Sequence, residues 1–579
     1  MRDLRVTTAS ASQDSWRAAA QRRADYRRNS AEPALATTFA DRLFRQGDYR
    51  EAERLYRIAL GRAPDSASAR IGLGNTLYAL GQREAAAAEY QAALQLAPDA
   101  APAHANLAAV LLELGRTEEA AAHCRAALAV QPENAALHYR LGLALVRLER
   151  WDAAEGSLRE AVRLAPGNAP AHNELGIVLA RRLDIAEAAV CFRTAVGLKP
   201  GFVEALANLG GVLTRLSDWA AAEFACRAAI DRDPAYAPAQ HNFGTLLRDA
   251  GRLEEAEQAA RAALRLKPDY AKARVNLAMT LLLSGRFEEG WAEYEWRWRL
   301  PKPARELARF RQPRWDGAPL GEKILLLHAE QGFGDTLQFC RYAPLVARRG
   351  RVVLEVPSQL KRLLAGLPGV EQVAAAGEAL PRFDLHCPLL SLPHVLATTL
   401  ATIPGETPYL QAAPERVAAW RRRFDPIPGF RVGLVWAGSP TMSADRGRSL
   451  TLDLLAPLAG LPGVALVSLQ KGEAAGQTPP SGMVLHDWTE DLDDFAETAA
   501  LIEALDLVIG VDTAVIHLAG ALGRPVWLLN RFDRDWRWLD GRDDSPWYPT
   551  LRQFRQAAPG DWAGVLSRVR TALVQAAAG

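Results

Sequence analysis

The sequence predicts an α + α/β chain, an all-helical repeat array followed by an open α/β module in two halves. Three observations carry this. Prolines recur at 64, 98, 132, 166, 200, 234 and 268, each 34 residues after the last. That ladder ends near Pro301. Beyond it, short apolar runs at 324–328, 352–356, 432–437, 464–469, 507–511 and 526–529 alternate with helical stretches, as in βαβ units with parallel sheets.

A 34-residue period marks a tetratricopeptide (TPR) superhelix, whose helix–turn–helix units bury their apolar faces only against neighbours. Ala52, Ala86, Ala120, Ala154, Ala188, Ala222 and Ala256 precede each proline by twelve residues, and Gly290 serves in the last unit. A small residue is expected where two helices cross. Gly74, Gly142, Gly176, Gly210 and Gly244 hold a second close-packed phase. Gly47, Gly81, Gly115, Gly251 and Gly285 fall in the turn between helices, where a left-handed residue ends the first helix. The proline ends the second helix, because it cannot extend the hydrogen-bond ladder. Eight units fit between residues 33 and 301.

At 579 residues the chain exceeds a single core, and its formal charge of +2 gives no reason to expect nucleic acid as a partner. Seven of the 69 basic residues are Lys, a bias that reflects genome composition more than polyanion binding. The five cysteines show no CxxC spacing, so a reduced, cytoplasmic compartment is expected. Residues 1–32 lack the apolar run of a signal peptide and read as a disordered tail, and no stretch is long enough to span a bilayer. The boundaries expected are a tail at 1–32, repeats at 33–301, a linker at 302–320, a first α/β half at 321–412, a linker helix at 413–429 and a second half at 430–579.

Two segments carry the chemistry. In His328-Ala-Glu-Gln-Gly-Phe-Gly-Asp-Thr-Leu337 a strand runs into a helix through Gly332 and Gly334, which permit a tight turn and close backbone approach. Asp335 then stands at the helix start, either facing a cleft or simply capping its helix. In the second segment, 506–525, a buried strand delivers Asp512 and Thr513 to a helix N-terminus, where free N–H groups favour an anion. His517, four residues after Thr513, shares its face. A diphosphate binder and a capped helix with a satisfied semi-buried histidine both fit this pattern.

Residues 510–525 resemble the donor motif of the heptosyltransferase-like glycosyltransferases of family 9, which have the two-half GT-B fold. Gly334-Asp335 with Pro344 nine residues on is similar to that family's N-terminal motif. The resemblance covers about 321–579 and implies a Rossmann-like GT-B module that transfers a sugar from a nucleotide-sugar donor, with inversion and without metal or cofactor. It implies Asp335 as the base that deprotonates the acceptor hydroxyl. Asp512, Thr513 and His517 would hold the donor diphosphate and adjoining sugar. Ala514 departs from the family's usual Gly, and the Lys that several relatives carry is not found beside Gly438-Ser439. Arg446 and Arg448 in that loop either supply the charge or are solvated. Gln470-Lys471 follows the second strand of this half, where GT-B enzymes meet the nucleotide. The Trp- and Arg/Asp-rich stretch 531–548 suits stacking on a ligand, and suits better a packed, salt-bridged closure.

Repeats joined to such a module resemble the layout of protein O-GlcNAc transferases, in which asparagines on the inner repeat face grip an acceptor peptide's backbone. Asn106, Asn208, Asn242 and Asn276 share one phase here. An amide both donates and accepts, so it pairs with any peptide bond; drift around the TPR consensus gives the same spacing. The expected partners are therefore a nucleotide-sugar donor and a protein or peptide acceptor in the repeat groove. The alternative is a non-catalytic TPR scaffold with a derived nucleotide- or sugar-binding domain.

Overall fold

The computed structural model describes residues 32–439, 447–533 and 535–578. The expected tail therefore lies outside the described residues, apart from Glu32. By compactness the chain forms two units, one ending at Val212 and one beginning at Leu213. The class is α + α/β, with TPR helices first and parallel sheets after.

In the first unit, helices pair consecutively from Pro33–Arg45 and Tyr49–Arg62 through Ala169–Arg181 and Ile185–Leu198. The second helices of the repeats end at Arg62, Leu96, Val130, Leu164 and Leu198, each two residues before a ladder proline. The close crossing read from the glycine phase is real. A Cβ on Gly74 would meet the Tyr90 ring at 2.6 Å, and one on Gly176 the Phe192 ring at 2.7 Å. The inter-helix turn is left-handed wherever Gly occupies it, as at Gly47, Gly81 and Gly115. Glu149, Leu183 and Ser217 take the same turn at φ 55°, 72° and 60°. The repeat geometry thus overrides the roughly 1–2 kcal/mol that a side chain costs there.

The ladder prolines have a second role that spacing alone did not reveal. Their carbonyls accept a side chain six residues on: Arg70 Nε to Pro64 at 3.2 Å, and His104 Nε2 to Pro98 at 2.8 Å. His138, His172 and Arg274 repeat the bond onto Pro132, Pro166 and Pro268. A carbonyl otherwise orphaned at a helix end is satisfied in each case.

The second unit holds the last repeat helices, Trp219–Arg232 to Phe287–Tyr294, together with both sheets. Four parallel strands, β1 (Ile324–His328), β2 (Arg351–Val356), β3 (Val370–Ala375) and β4 (Leu385–Pro388), lie in the order β3-β2-β1-β4. Six more, β5 (Phe430–Val435), β6 (Val464–Ser468), β7 (Leu485–Asp487), β8 (Leu507–Val511), β9 (Val526–Asn530) and β10 (Leu551–Arg555), lie in the order β10-β9-β8-β5-β6-β7. Counted from β5, that is the doubly wound order 3-2-1-4-5-6, with its switch point between β5 and β8. The first sheet switches between β1 and β4. Between the sheets runs the helix Pro414–Arg423, where the charged Pro-flanked segment was expected.

The segment 302–320 is not a free tether. Arg314 bridges to His386 on β4, Trp315 N–H donates to the His386 carbonyl at 2.8 Å, and Trp315 is buried. Phe310 lies 4.4 Å from the His328 ring and 4.5 Å from the His386 ring. The repeat end is equally built in. Phe287, Trp291 and Tyr294 share one apolar core with Leu325, Phe339, Trp536 and Trp547. The last repeat thus contributes to the core of the α/β module.

Candidate functional site

The site forms where strands β1 and β8 run out into helix N-termini. After β1, the chain turns through Ala329–Gly332 into the helix Phe333–Phe339. Asp335 closes a capping interaction there, its Oδ2 accepting from Gly332 N–H at 2.9 Å. The capping reading of Asp335 therefore holds, and its other oxygen is ion-paired with Arg537 NH2.

Arg537 is the residue that sequence reading missed. Its guanidinium also donates from Nε to Gln338 Oε1 at 3.1 Å and from NH1 to Asp535 Oδ1 at 3.1 Å, and lies over the Trp536 ring at 4.3 Å. Burial lowers its pKa, yet the charges of Asp335 and Asp535, with Asp512 further off, carry it above its ordinary value. The only sequence signal was the alternation of Arg and Asp between three tryptophans. The closure reading of 531–548 is borne out in its packing: Trp536, Trp538 and Trp547 are buried.

After β8, Asp512 and Thr513 precede the helix Ala514–Ala521. His517 faces Asp512 Oδ1 through Nε2 at 3.5 Å and Tyr548 Oη through Nδ1 at 2.9 Å. A carboxylate only accepts, so Nε2 is the donor in the contact with Asp512. The imidazole also stacks on Trp538 at 5.2 Å. Burial raises the Asp512 pKa, but the His517 hydrogen bond and charge, with Arg448 and Arg537, hold it well below the carboxylate range. Thr513 Oγ1 is buried and lacks a hydrogen-bond partner, the only side-chain atom of this trio in that state.

The two segments meet directly. A Cβ on Gly334 would lie 2.8 Å from His517 Cδ2 and 3.7 Å from Ala514 Cα. Glycine at 334 thus permits the helix starts to abut. Gly334→Ala is expected to push His517 away from Asp512 and to lower stability by about 1–3 kcal/mol, the scale of overpacking a filled site. Chemical denaturation measures it, and an unchanged midpoint would mean that the contact relaxes without cost.

The remaining expected donor residues fall into two groups. Arg448 lies near enough for its charge to act on Asp512. Ser439 is exposed at the end of the β5 loop, and Arg446 lies outside the described residues. Gln470 and Lys471 both hold backbone. Gln470 Oε1 accepts from Trp436 and Ala437 N–H at 3.0 and 2.8 Å, and Nε2 donates to the carbonyls of Ala437 and Lys471. Its amide capacity is filled by these bonds, which shape the β5 exit. Lys471 Nζ donates to the Thr489 and Leu492 carbonyls at 2.6 and 3.1 Å.

In the repeats, Asn106 donates to Asn75 at 2.8 Å and Asn208 to Asn173 at 3.0 Å, all half-buried except the buried Asn173. Asn242 is half-buried. Asn276 is 4 % exposed and its Oδ1 accepts from Arg248 at 2.7 Å, which braces neighbouring helices. Among the described residues, no group of three or more His, Cys, Asp or Glu side chains could hold a metal, and no helix is long and apolar enough to cross a membrane.

Comparison with known proteins bears on both parts. Tetratricopeptide repeat profiles match residues 37–101, 105–169, 173–237 and 247–290. The profile of glycosyltransferase family 9 (heptosyltransferase) matches 493–529, the segment that carries β8, Asp512, Thr513 and His517. The chain couples TPR repeats to a glycosyltransferase-like module. Protein FlbA of Caulobacter vibrioides is 33 % identical over 320 residues, covering 49 % of this chain and 52 % of FlbA. The chain thus spans about half the length of that curated relative. Among solved structures, YrrB, described as a TPR protein with an unusual peptide-binding site, is 29 % identical over 32 % of this chain and 96 % of its own, with a TM-score of 0.30. PilF of Pseudomonas aeruginosa is 23 % identical over 37 % of this chain and 97 % of its own, with a TM-score of 0.32.

Proposed function

We propose that the protein transfers a sugar from a nucleotide-sugar donor to a protein or peptide acceptor held by its repeats. The transfer is inverting and needs no metal. The observation that supports this reading most is the position of Asp335 and of Asp512–Thr513. Each stands at the carboxyl-end switch point of its own parallel sheet, and the two helix starts face each other. Ligands of doubly wound sheets bind at such points.

In this reading Asp335 takes the proton of the acceptor hydroxyl, as a carboxylate base within reach of it. The N–H groups at the start of Ala514–Ala521 and the Thr513 hydroxyl receive the donor's phosphates, with Arg448 compensating charge. His517 orders Asp512 and, through Tyr548, the packing behind the helix. The amides of Asn106, Asn208 and Asn242 pair with the acceptor backbone.

A second reading has a specific observation in its favour. The Gly334–His517 approach and the Asp335–Arg537 ion pair close the space between the helix starts. A scaffold that had lost turnover would tolerate that closure, whereas an enzyme must open it for the donor. Screening UDP-, ADP-, GDP- and dTDP-sugars for binding and for transfer or slow hydrolysis separates the two. The enzyme reading expects turnover with one donor class and its loss in Asp335→Ala. Binding without turnover in any acceptor extract leaves the scaffold.

A further inference from the structure

The loop that delivers Asp335 is gripped from the end of the repeat array. Glu330, a buried carboxylate, is held on both oxygens by Arg297, NH2 to Oε1 at 2.7 Å and Nε to Oε2 at 3.1 Å. Arg297 is itself 3 % exposed and lies between the Tyr294 and Trp298 rings at 4.5 and 4.4 Å. Its NH1 reaches Glu295 at 2.7 Å, and NH2 reaches Ser391, just past β4, at 2.8 Å. Glu295 is ion-paired in turn with Arg314, so two cations face two carboxylates. The next loop residue, Gln331, has φ +62°, and its amide donates to Tyr294 Oη at 2.8 Å. Tyr294 also lies near enough to Arg537 for the two to interact electrostatically.

Besides the Tyr294 ring, which also packs in the apolar core, the cluster is made of polar and charged groups. A buried ion pair contributes little net stability over apolar packing, but it fixes geometry. A left-handed non-glycine residue persists only where its surroundings hold it. Both devices fall on the two residues before Gly332, whose N–H donates to the Asp335 carboxylate.

We infer that Tyr294 and Arg297, contributed by the last repeat, are positioning residues for Asp335: they fix the backbone at Glu330 and Gln331 and thereby the direction of the carboxylate. That role rests on the reading of Asp335 as the base, while the grip on the loop does not. The terminal repeat is then part of the active site's support and not only of the acceptor's path. A site placed within a few tenths of an ångström needs such a supporting shell.

Tyr294→Phe tests this, because it keeps the ring and removes only the hydroxyl. The full-length variant is expected to unfold at nearly the wild-type midpoint. Hydrogen exchange at amides 331–335 should be about tenfold faster, the scale of one hydrogen bond, with other loops unchanged. With a turned-over donor, kcat should fall about tenfold at unchanged donor KM. Gln331→Met breaks the same bond from the other side and should act alike, so a poorly folding Tyr294→Phe does not decide the matter. Exchange at 331–335 equal to wild type in the folded variants overturns the inference. Faster exchange with unaltered kcat overturns its functional half. Absence of turnover in the wild type overturns the transfer reading, and exchange then still decides the grip on the loop.

Discussion

Replacing Asp335 with Asn is expected to lower transfer by about 10²–10⁴-fold, the usual contribution of a positioned base, with donor KM nearly unchanged. The amide keeps an oxygen for the Gly332 N–H, so the start of the helix survives. What it loses is the basic oxygen and the charge opposite Arg537. Steady-state kinetics with the donor found by screening measure it. Full activity in this variant would remove Asp335 from the chemistry and leave it a helix cap. A parallel rise in donor KM would move it to the binding site.

Arg537→Met is expected to produce the largest loss of stability, about 3–5 kcal/mol, because it strands two partly buried carboxylates, Asp335 and Asp535, without their cation. Asp335→Asn in the same chain should recover part of that loss by removing one stranded charge, and a double-mutant cycle isolates the coupling. Tryptophan fluorescence during denaturation is a direct probe, since Trp536 lies under the guanidinium and 5.1 Å from Trp291. A loss below about 1 kcal/mol would put the pair in the class of solvent-screened surface bridges.

The sequence was legible wherever geometry repeats or burial is complete. The proline ladder, the glycine crossings and the left-handed turns follow from one unit packed many times, so identity at a fixed period exposes them. Six strands stood out as apolar runs because they lie inside their sheets, with neighbours on both sides. The four strands that did not stand out, β3, β4, β7 and β10, are the four sheet edges. Edge strands can be short and polar. β3 exposes Glu371 and Gln372, β4 runs only from Leu385 to a proline, and β7 has three residues.

The candidate site divided along the same line. Asp335, Asp512, Thr513 and His517 were legible because each sits beside a strand–helix junction with its own local pattern. Arg537 was not, since its partner lies 202 positions away and spacing cannot pair distant charges. The bonds of Gln470 were hidden for a related reason: its position after a strand is legible, but the turn of its amide back to the β5 exit is not. The inward turn of Asn276 was equally hidden, because one helix phase serves a brace as well as a ligand.

The second unit is expected to turn over a nucleotide sugar. Incubating the full-length chain with UDP-, ADP-, GDP- and dTDP-sugars, and following nucleoside diphosphate release with and without acceptor extract, tests it most directly. Release is expected from one donor class, raised by acceptor and largely lost in Asp335→Asn. Donor binding with no release under any condition would overturn turnover, and undiminished release by Asp335→Asn would remove Asp335 as its base.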